Sequence, residues 1–450
     1  MTNLPLLLYL VLFLACVFAP LRWSIIAFLL LSNIDLGSLS ASVGALNTAK
    51  AMILPVMMLW RFRGYAGHAK ITAAPVAWCF LIVYVAIASS WSLYPAYALK
   101  LIGHLIGSLL ICMMLMRATK GGFLTVRTVV PVTAGTLAIA TIHWVFLHSW
   151  GGETERFTTF AGAQSFAAFV TALYCAALAS RSLRPALRLP LCAALFASVL
   201  LNGSRLWIVG LLAATLLAIF VSDVKQWMKV LTLGLTLITL AVFTVEFDGI
   251  MELIAARAQS NRIAAAITDA YGGNLKSRGL GTYNLRHELY QRTIESIKNG
   301  TALEIVFGHG TCNGALIAAT ISKNPDPNRA LHDEWLRAIY EWGLIGLAIW
   351  LVFIGSLVVY AVKGARLERG SYSKPLLIYL PAFALGLSGE NIIAGAGNAV
   401  SVGLLMLIAF ASVSHRPLRR PVSMRLRPSP DQMVRSFGRS RNAPGFSAHI

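Results

Sequence analysis

The stretch ALHDEWLRAIYEWGLIGLAIWL, residues 330–351, begins with charges and ends as membrane. His332, Asp333, Glu334, Arg337 and Glu341 crowd its first half, and its second half carries no charge. The apolar run continues to residue 361. That is enough to cross a hydrocarbon core, roughly 30 Å thick. The stretch therefore reads as a bilayer helix with a polar doorway, and the fold class follows from how often such runs recur.

They recur along the whole chain. Of 450 residues, 57% are hydrophobic and 12% charged, with a mean hydropathy of +0.70. Soluble domains carry about 25% charged residues. Apolar runs fall near 5–19, 23–40, 46–60, 73–91, 97–116, 124–147, 161–180, 187–203, 205–222, 227–246, 336–361, 374–388 and 398–414. These predict an all-α, polytopic transmembrane helical bundle of about 12–13 spans. Four regions follow: an N-terminal transmembrane bundle over 1–246, a helical loop domain over 247–335, C-terminal transmembrane helices over 336–414, and a tail over 415–450. The opening MTNLPLLLYLVLFLAC lacks a positive n-region and reads as a first helix, not a cleaved signal.

Charge sets the orientation. The tail holds eight arginines and one aspartate among Pro, Ser and Gly, a composition that favours disorder. With no recognition fold beside it, it reads as a topology-fixing cytoplasmic tail that touches anionic lipid, with no nucleic acid as partner. Walking back from a cytoplasmic tail, the basic segments 363–374, 222–229, 180–188, 117–127 and 61–70 all fall on the inner side. Segments 148–160, 202–205, 247–335 and 389–397 then face outward. The outer loop over 247–335 is long enough to carry function, and it contains helical patterns and a Gly-rich turn, FGHGTCNGA. Five of the six cysteines sit in apolar runs as packing residues, so Cys312 has no disulfide partner within that loop.

The outer face gathers the groups that could do chemistry. Arg156 lies in GGETERFTTFAGAQ, and Arg205 stands at the very start of a span in NGSRLW. An arginine there either snorkels to the interface or faces water, a partner or a ligand. NLRHELYQR offers Arg286, Tyr290 and Arg292, with Arg286 and Tyr290 at i and i+4. His332 either caps and hydrogen-bonds or serves as a general base near working pH. Asp333 and Glu334 suit a helix start. Glu341 suits a partner for an arginine, and the glycine-flanked His309 suits a turn. Metal chemistry has no HExxH or CxxC pair behind it, and GHGTCNG lacks the lysine of a P-loop. Neither a metal nor a cofactor is expected. The set suits a lipid-linked diphosphate: arginines bind it bidentately and stabilise its leaving charge, and a histidine holds or deprotonates an attacking hydroxyl. A donor borne on lipid explains a site at the bilayer surface.

Four stretches, in order, resemble the O-antigen ligase and Wzy-type polymerase superfamily. RFTTFAGAQSFAAF (156–169) looks like its Arg–Gly–Asn segment, and NGSRLWIVGLLAA (202–214) like its Ser–Arg helix start. RHELYQRTIESIKNGTALEIVFGHGT (286–311) is similar to its Arg–aromatic helix and Gly-x-Gly turn. HDEWLRAIYEWGLIGLAIWL (332–351) is similar to its His-x-x-x-Leu…Glu-x-Gly-Leu-x-Gly signature. Asp333 and Gln164 depart from the residues common there; the arginines and the histidine remain. The resemblance implies a GT-C-like, metal-independent glycosyltransferase of the bacterial inner membrane, its active site at the periplasmic face and its C-terminus cytoplasmic. The donor would be a polyprenyl-diphosphate-linked oligosaccharide. His332, Arg205 and Arg286 would be catalytic, and Arg156, Arg292, Arg337, Tyr290 and Glu341 would bind diphosphate or substrate. The first expectation is a polymerase of lipid-linked repeats, with a glycan acceptor and a chain-length regulator as partners. The alternatives are an O-antigen ligase or protein O-oligosaccharyltransferase, and a lipid-linked oligosaccharide flippase. A flippase should place ionisable groups at the midplane in two related halves. Here the charges gather on one face and no repeat is visible.

Overall fold

A computed structural model describes residues 3–34, 46, 49–65, 73–148, 158–160, 163–180, 182–202, 204–221, 281–321, 331, 333–367, 373–388 and 398–413. Its regular elements are helical throughout these residues. The first group is α1 (Asn3–Phe18), α2 (Leu21–Leu31), a π-helical turn (Ala49–Ile53) running into α3 (Leu54–Arg61), α4 (Ala73–Ala88), α5 (Pro95–Lys120) and α6 (Val129–His148). Then come α7 (Ala163–Ala179), α8 (Pro185–Asn202) and α9 (Arg205–Val221). The loop region contributes α10 (Gly281–Lys298), α11 (Ala302–Phe307) and α12 (Gly314–Ala319), and the chain closes with α13 (Glu334–Leu367), α14 (Ser373–Leu387) and α15 (Asn398–Val413).

Five described helical stretches are long and apolar enough to cross a membrane: Ala73–Trp91, Pro95–Lys120, Val126–Val145, Pro185–Asn202 and Glu334–Arg366. Shorter apolar helices at Leu4–Phe18, Leu21–Leu31, Gln164–Ala179, Leu206–Val221, Ser373–Leu387 and Val402–Ser412 fall where further spans were expected. The chain is a multi-pass membrane protein. The expected span at 227–246 and the basic tail lie outside the described residues.

α7 is the axis of the bundle. Its side chains from Phe166 to Ala177 are buried without interruption, as a helix surrounded by other helices requires. α8, α14 and α15 pack around it. α9 lies along α14. A Cβ on Gly210 would come within 2.8 Å of the Ala382 Cα, so a small residue sets the approach. Trp207 stacks on Tyr379, ring centroids 6.3 Å apart, between the same two helices. α4 packs along α13, and α5 along α15.

The bundle has two chemically different ends. At one, the Arg61 guanidinium donates to the carbonyls of Cys16 and Ala19, each at 2.6 Å, and to Ser24 Oγ at 2.8 Å. Arg117 donates to the Leu59 carbonyl at 3.1 Å, and Phe123 meets the Tyr65 ring edge-on at 4.8 Å. Arg61, Tyr65, Arg117 and Phe123 come from two of the segments expected to share the basic side. At the other end the turn after α4 meets the region 307–313. α4 and α5, each long enough to cross, put the turn between them at the end opposite those basic segments, and residues 308–313 bond to it there.

One expectation needs correction. The apolar run was read as a single span over 336–361, with Glu341 one or two turns inside it. Gly343 instead adopts φ 62°, ψ −164° and breaks α13 into two arms. The apolar arm covers 344–367. At about 1.5 Å per residue it is about 36 Å long and can cross the bilayer alone. The charged arm over 334–342 is a separate short helix, and Glu341 precedes the break.

Candidate active site

The charged arm is fixed at its start by Asp333. Asp333 Oδ1 accepts the backbone N–H groups of Trp335 at 2.8 Å and Leu336 at 2.9 Å. This is an N-cap, and it satisfies orphan donors of the first turn. Burial pushes the Asp333 carboxyl above its usual range, and those two amides oppose the shift. The helix-start reading of Asp333 thus holds.

Along one face of the arm, Glu334, Arg337 and Glu341 form a ladder at i, i+3 and i+7. All three are buried, with exposures of 1%, 0% and 0%. Arg337 Nη1 lies 3.3 Å from Glu334 Oε2, and Arg337 Nε lies 3.7 Å from Glu341 Oε2. An uncompensated charge at such depth would be costly, so the pairing sets where these side chains can go. Arg337 and Glu341, expected to touch substrate, have their charges matched inside the fold. Glu341 does pair with an arginine, as its position suggested.

The far end of the ladder grips the Gly-rich turn. Glu341 Oε2 accepts the Cys312 N–H at 2.8 Å, and Oε1 accepts the Gly314 N–H at 3.2 Å. The break in α13 frees the last carbonyls of the charged arm, and the same turn fills them. His309 N–H donates to the Tyr340 carbonyl at 2.9 Å and Gly310 N–H to the Glu341 carbonyl at 3.0 Å. Such close backbone approach leaves no room for side chains. A Cβ on Gly343 would lie 2.5 Å from the Gly308 nitrogen, and a Cβ on Gly308 would run into the Glu341 carbonyl. Both glycines have positive φ, 62° and 83°, which L residues with a Cβ rarely adopt.

The turn is held from its other side by the end of α4. Tyr84 Oη donates to the Phe307 carbonyl at 3.1 Å, Trp91 Nε1 to the Gly308 carbonyl at 3.3 Å, and Ser92 Oγ to the Thr311 carbonyl. Asn313 Oδ1 accepts the Leu93 N–H at 2.9 Å. His309 is indeed a turn residue. Its ring stacks on Tyr340 at 4.2 Å, and its Nε2 faces Glu304 at 4.0 Å. The Thr301 backbone N–H and hydroxyl hold the Glu304 carboxyl below its ordinary range, in the capping box that opens α11.

α10 lies over this platform. Leu289 packs with Ala315 and Ala318 of α12. Its outer side carries Tyr290, 47% exposed, and Arg292, whose Nη2 pairs with Glu288 Oε1 at 2.6 Å. Arg286 lies on α10 and Arg205 opens α9, but both side chains lie outside the described residues, as do Arg156 and His332. Leu331, buried, and Asp333, the cap, bracket His332 in sequence.

Sequence reasoning missed the Gly308–Gly343 crossing, the turn at Trp91–Leu93 and the buried state of Glu334. Paired glycines in FGHG and EWGLIG were the available signal. Among the described residues, no cluster of three or more His, Cys, Asp or Glu could hold a metal ion.

Residues 190–351 match the family model described as O-Antigen ligase. The matched segment runs from α8 through the charged arm and into the apolar arm of α13. Over this segment, about a third of the chain, the protein is similar to that family. No curated protein matches the chain.

Proposed function

Proceeding from that superfamily, we propose that this membrane protein transfers glycan from a polyprenyl diphosphate to an acceptor hydroxyl, as an O-antigen ligase does. The observation that carries this reading is the family match, because it covers the Ser–Arg helix start, α10, the Gly-rich turn and the charged arm together. The sequence motifs favoured repeat polymerisation first. The family description favours ligation, which becomes the leading reading, with polymerisation second.

In either reaction an acceptor oxygen attacks the anomeric carbon of the donor sugar, and the bond from that carbon to the diphosphate breaks. The diphosphate leaves with the electron pair. Arg205 and Arg286 hold its charge, with Arg156, Tyr290 and Arg292 as further contacts. His332 takes or directs the hydroxyl proton. The donor is already activated, so the reaction needs neither ATP nor a nucleotide sugar, and the resemblance to the superfamily implies that it needs no metal. The site sits at the periplasmic face of a bacterial inner membrane, where donor and acceptor share the lipid phase.

The test is complementation of a strain lacking the gene with His332→Ala and Arg205→Ala at wild-type abundance, with lipid-linked intermediates read on a gel. Loss of product with long chains left on lipid supports ligation. Single repeats left on lipid make the protein a polymerase. Normal product from both variants removes the site.

A further inference from the structure

α11 is apolar on the wrong side for a helix in water. Leu303, Val306 and Phe307 stand at i, i+3 and i+4, so they share one face. They are 70%, 37% and 42% exposed. Ile305, on the opposite side, is half-buried. The one charged side chain of the helix, Glu304, is taken up in the capping box with Thr301. A surface helix in water shows the reverse pattern, apolar toward the core and polar outward.

The helix is also fixed in depth. Its end is bonded to the last turns of the crossing stretch Ala73–Trp91. Tyr84 Oη donates to the Phe307 carbonyl at 3.1 Å, Thr311 Oγ1 to the Val85 carbonyl at 3.1 Å, and Trp91 Nε1 to the Gly308 carbonyl at 3.3 Å. Tyr84 stands seven residues, or about 10 Å of helix, from the end of that stretch. A helix lying in the plane of a membrane buries its apolar face about 5–10 Å into the boundary between headgroups and acyl chains. On the other flank a Cβ on Gly343, where the apolar arm of α13 begins, would fall 2.5 Å from the Val306 carbonyl oxygen. Both flanking elements turn apolar side chains outward. Phe80, Val83, Ile87 and Trp91 form an exposed stripe along the stretch, and Leu344 and Leu351 are exposed on the arm. Both belong to helices long enough to cross a membrane, so these surfaces face acyl chains. The outward face of α11 continues them.

We propose that α11 is an in-plane membrane helix. Leu303, Val306 and Phe307 lie in the acyl boundary of the leaflet at this end of the bundle, and the partner of their face is lipid. The helix thereby ties the Gly-rich turn that follows it to the depth of the headgroups. This holds whichever end of the bundle faces the cytoplasm, and whether or not the chain transfers glycan.

Depth-dependent quenching in the full-length protein tests this. Exposed Cys79 is replaced; the other five cysteines are buried. Leu303→Cys is then labelled with bimane in phosphatidylcholine nanodiscs, which leave both faces open to solutes. Lipid brominated on the upper acyl chain should quench Leu303→Cys as strongly as Ile87→Cys, on the exposed stripe of α4. Aqueous iodide should quench it severalfold less than Glu295→Cys, at an exposed carboxylate of α10. Iodide quenching as strong as for Glu295→Cys puts the face in water and overturns the membrane contact, whatever brominated lipid does. Weak quenching by both means that protein covers the face, either another segment of this chain or a second copy, and overturns it equally. Phe307→Cys, one turn on along the same face, serves should Leu303→Cys not accumulate. The bond from Tyr84 goes to the Phe307 backbone, so that substitution keeps it.

Discussion

At the residue scale, burial separates arginines that hold the fold from those that can serve a ligand. Arg337 is enclosed between Glu334 and Glu341. Arg337→Met would take the shared cation from two buried carboxylates, a change that costs about 3–5 kcal/mol. The expected result is loss of most of the folded protein, read as a collapse of the monodisperse peak in detergent. Arg292 is the opposite case. It pairs with Glu288 in an i,i+4 contact, the two side chains 41% and 45% exposed. Such pairs are worth about 0–1 kcal/mol. Arg292→Ala should leave thermal stability within that margin and raise KM for the lipid donor. An unchanged KM would remove Arg292 from the donor site. The sequence told these two arginines apart only partly. Charge count and helical spacing gave Glu341 an arginine partner. The i,i+3 spacing lets Glu334 join on the other side, but the burial of the pair is not in the spacing, because it depends on the turn and α4 closing over the arm.

At the element scale the decisive feature is the break at Gly343. The sequence shows the change from charge to apolar composition, and at four other helices the span boundaries follow from it closely. α4, α8, α9 and α14 begin and end within about three residues of the expected spans. The break is not legible in the same way, since both arms keep a helical pattern and a lone glycine inside such a pattern is ordinarily tolerated. What forces it is a tertiary contact, the Gly308 backbone lying against Gly343. Gly343→Ala must therefore place a Cβ at positive φ and 2.5 Å from a backbone nitrogen. We expect a loss of about 1–3 kcal/mol and release of the 308–314 turn, seen as faster amide exchange there. Gly355, on the apolar arm, is the control. Nothing lies within 4 Å of its added Cβ. Gly355→Ala should therefore be neutral or stabilise by up to about 1 kcal/mol. Equal destabilisation by both variants would mean that helix propensity, not the crossing, governs this region.

At the scale of the whole molecule, the two ends of the bundle carry the argument for where chemistry can happen. The charge walk along the sequence put segments 61–70 and 117–127 on one side and the long loop on the other, and the turn between α4 and α5 falls opposite the basic pair because each of those helices is long enough to cross. In the fold, Tyr65 meets Phe123 and Arg117 reaches Leu59, while Trp91, Ser92 and Leu93 bond to residues 308, 311 and 313. Segments assigned to one side by charge thus touch each other, and none of these contacts joins opposite sides. Which end faces the cytoplasm is an expectation from the basic residues, through the positive-inside rule. Labelling decides it directly. In a background with exposed Cys79 replaced, Leu93→Cys and Tyr65→Cys each put a thiol at a residue that is 66% or 43% exposed, one at each end. A membrane-impermeant maleimide added to intact spheroplasts should modify Leu93→Cys and spare Tyr65→Cys until the membrane is opened. The reverse pattern would place the charged arm and the Gly-rich turn in the cytoplasm, where a donor presented at the periplasmic face could not reach them, and the proposed transfer would fail on topology alone. Labelling of both from outside would contradict the two-ended bundle itself, because α4, which lies between them, could not then cross the membrane.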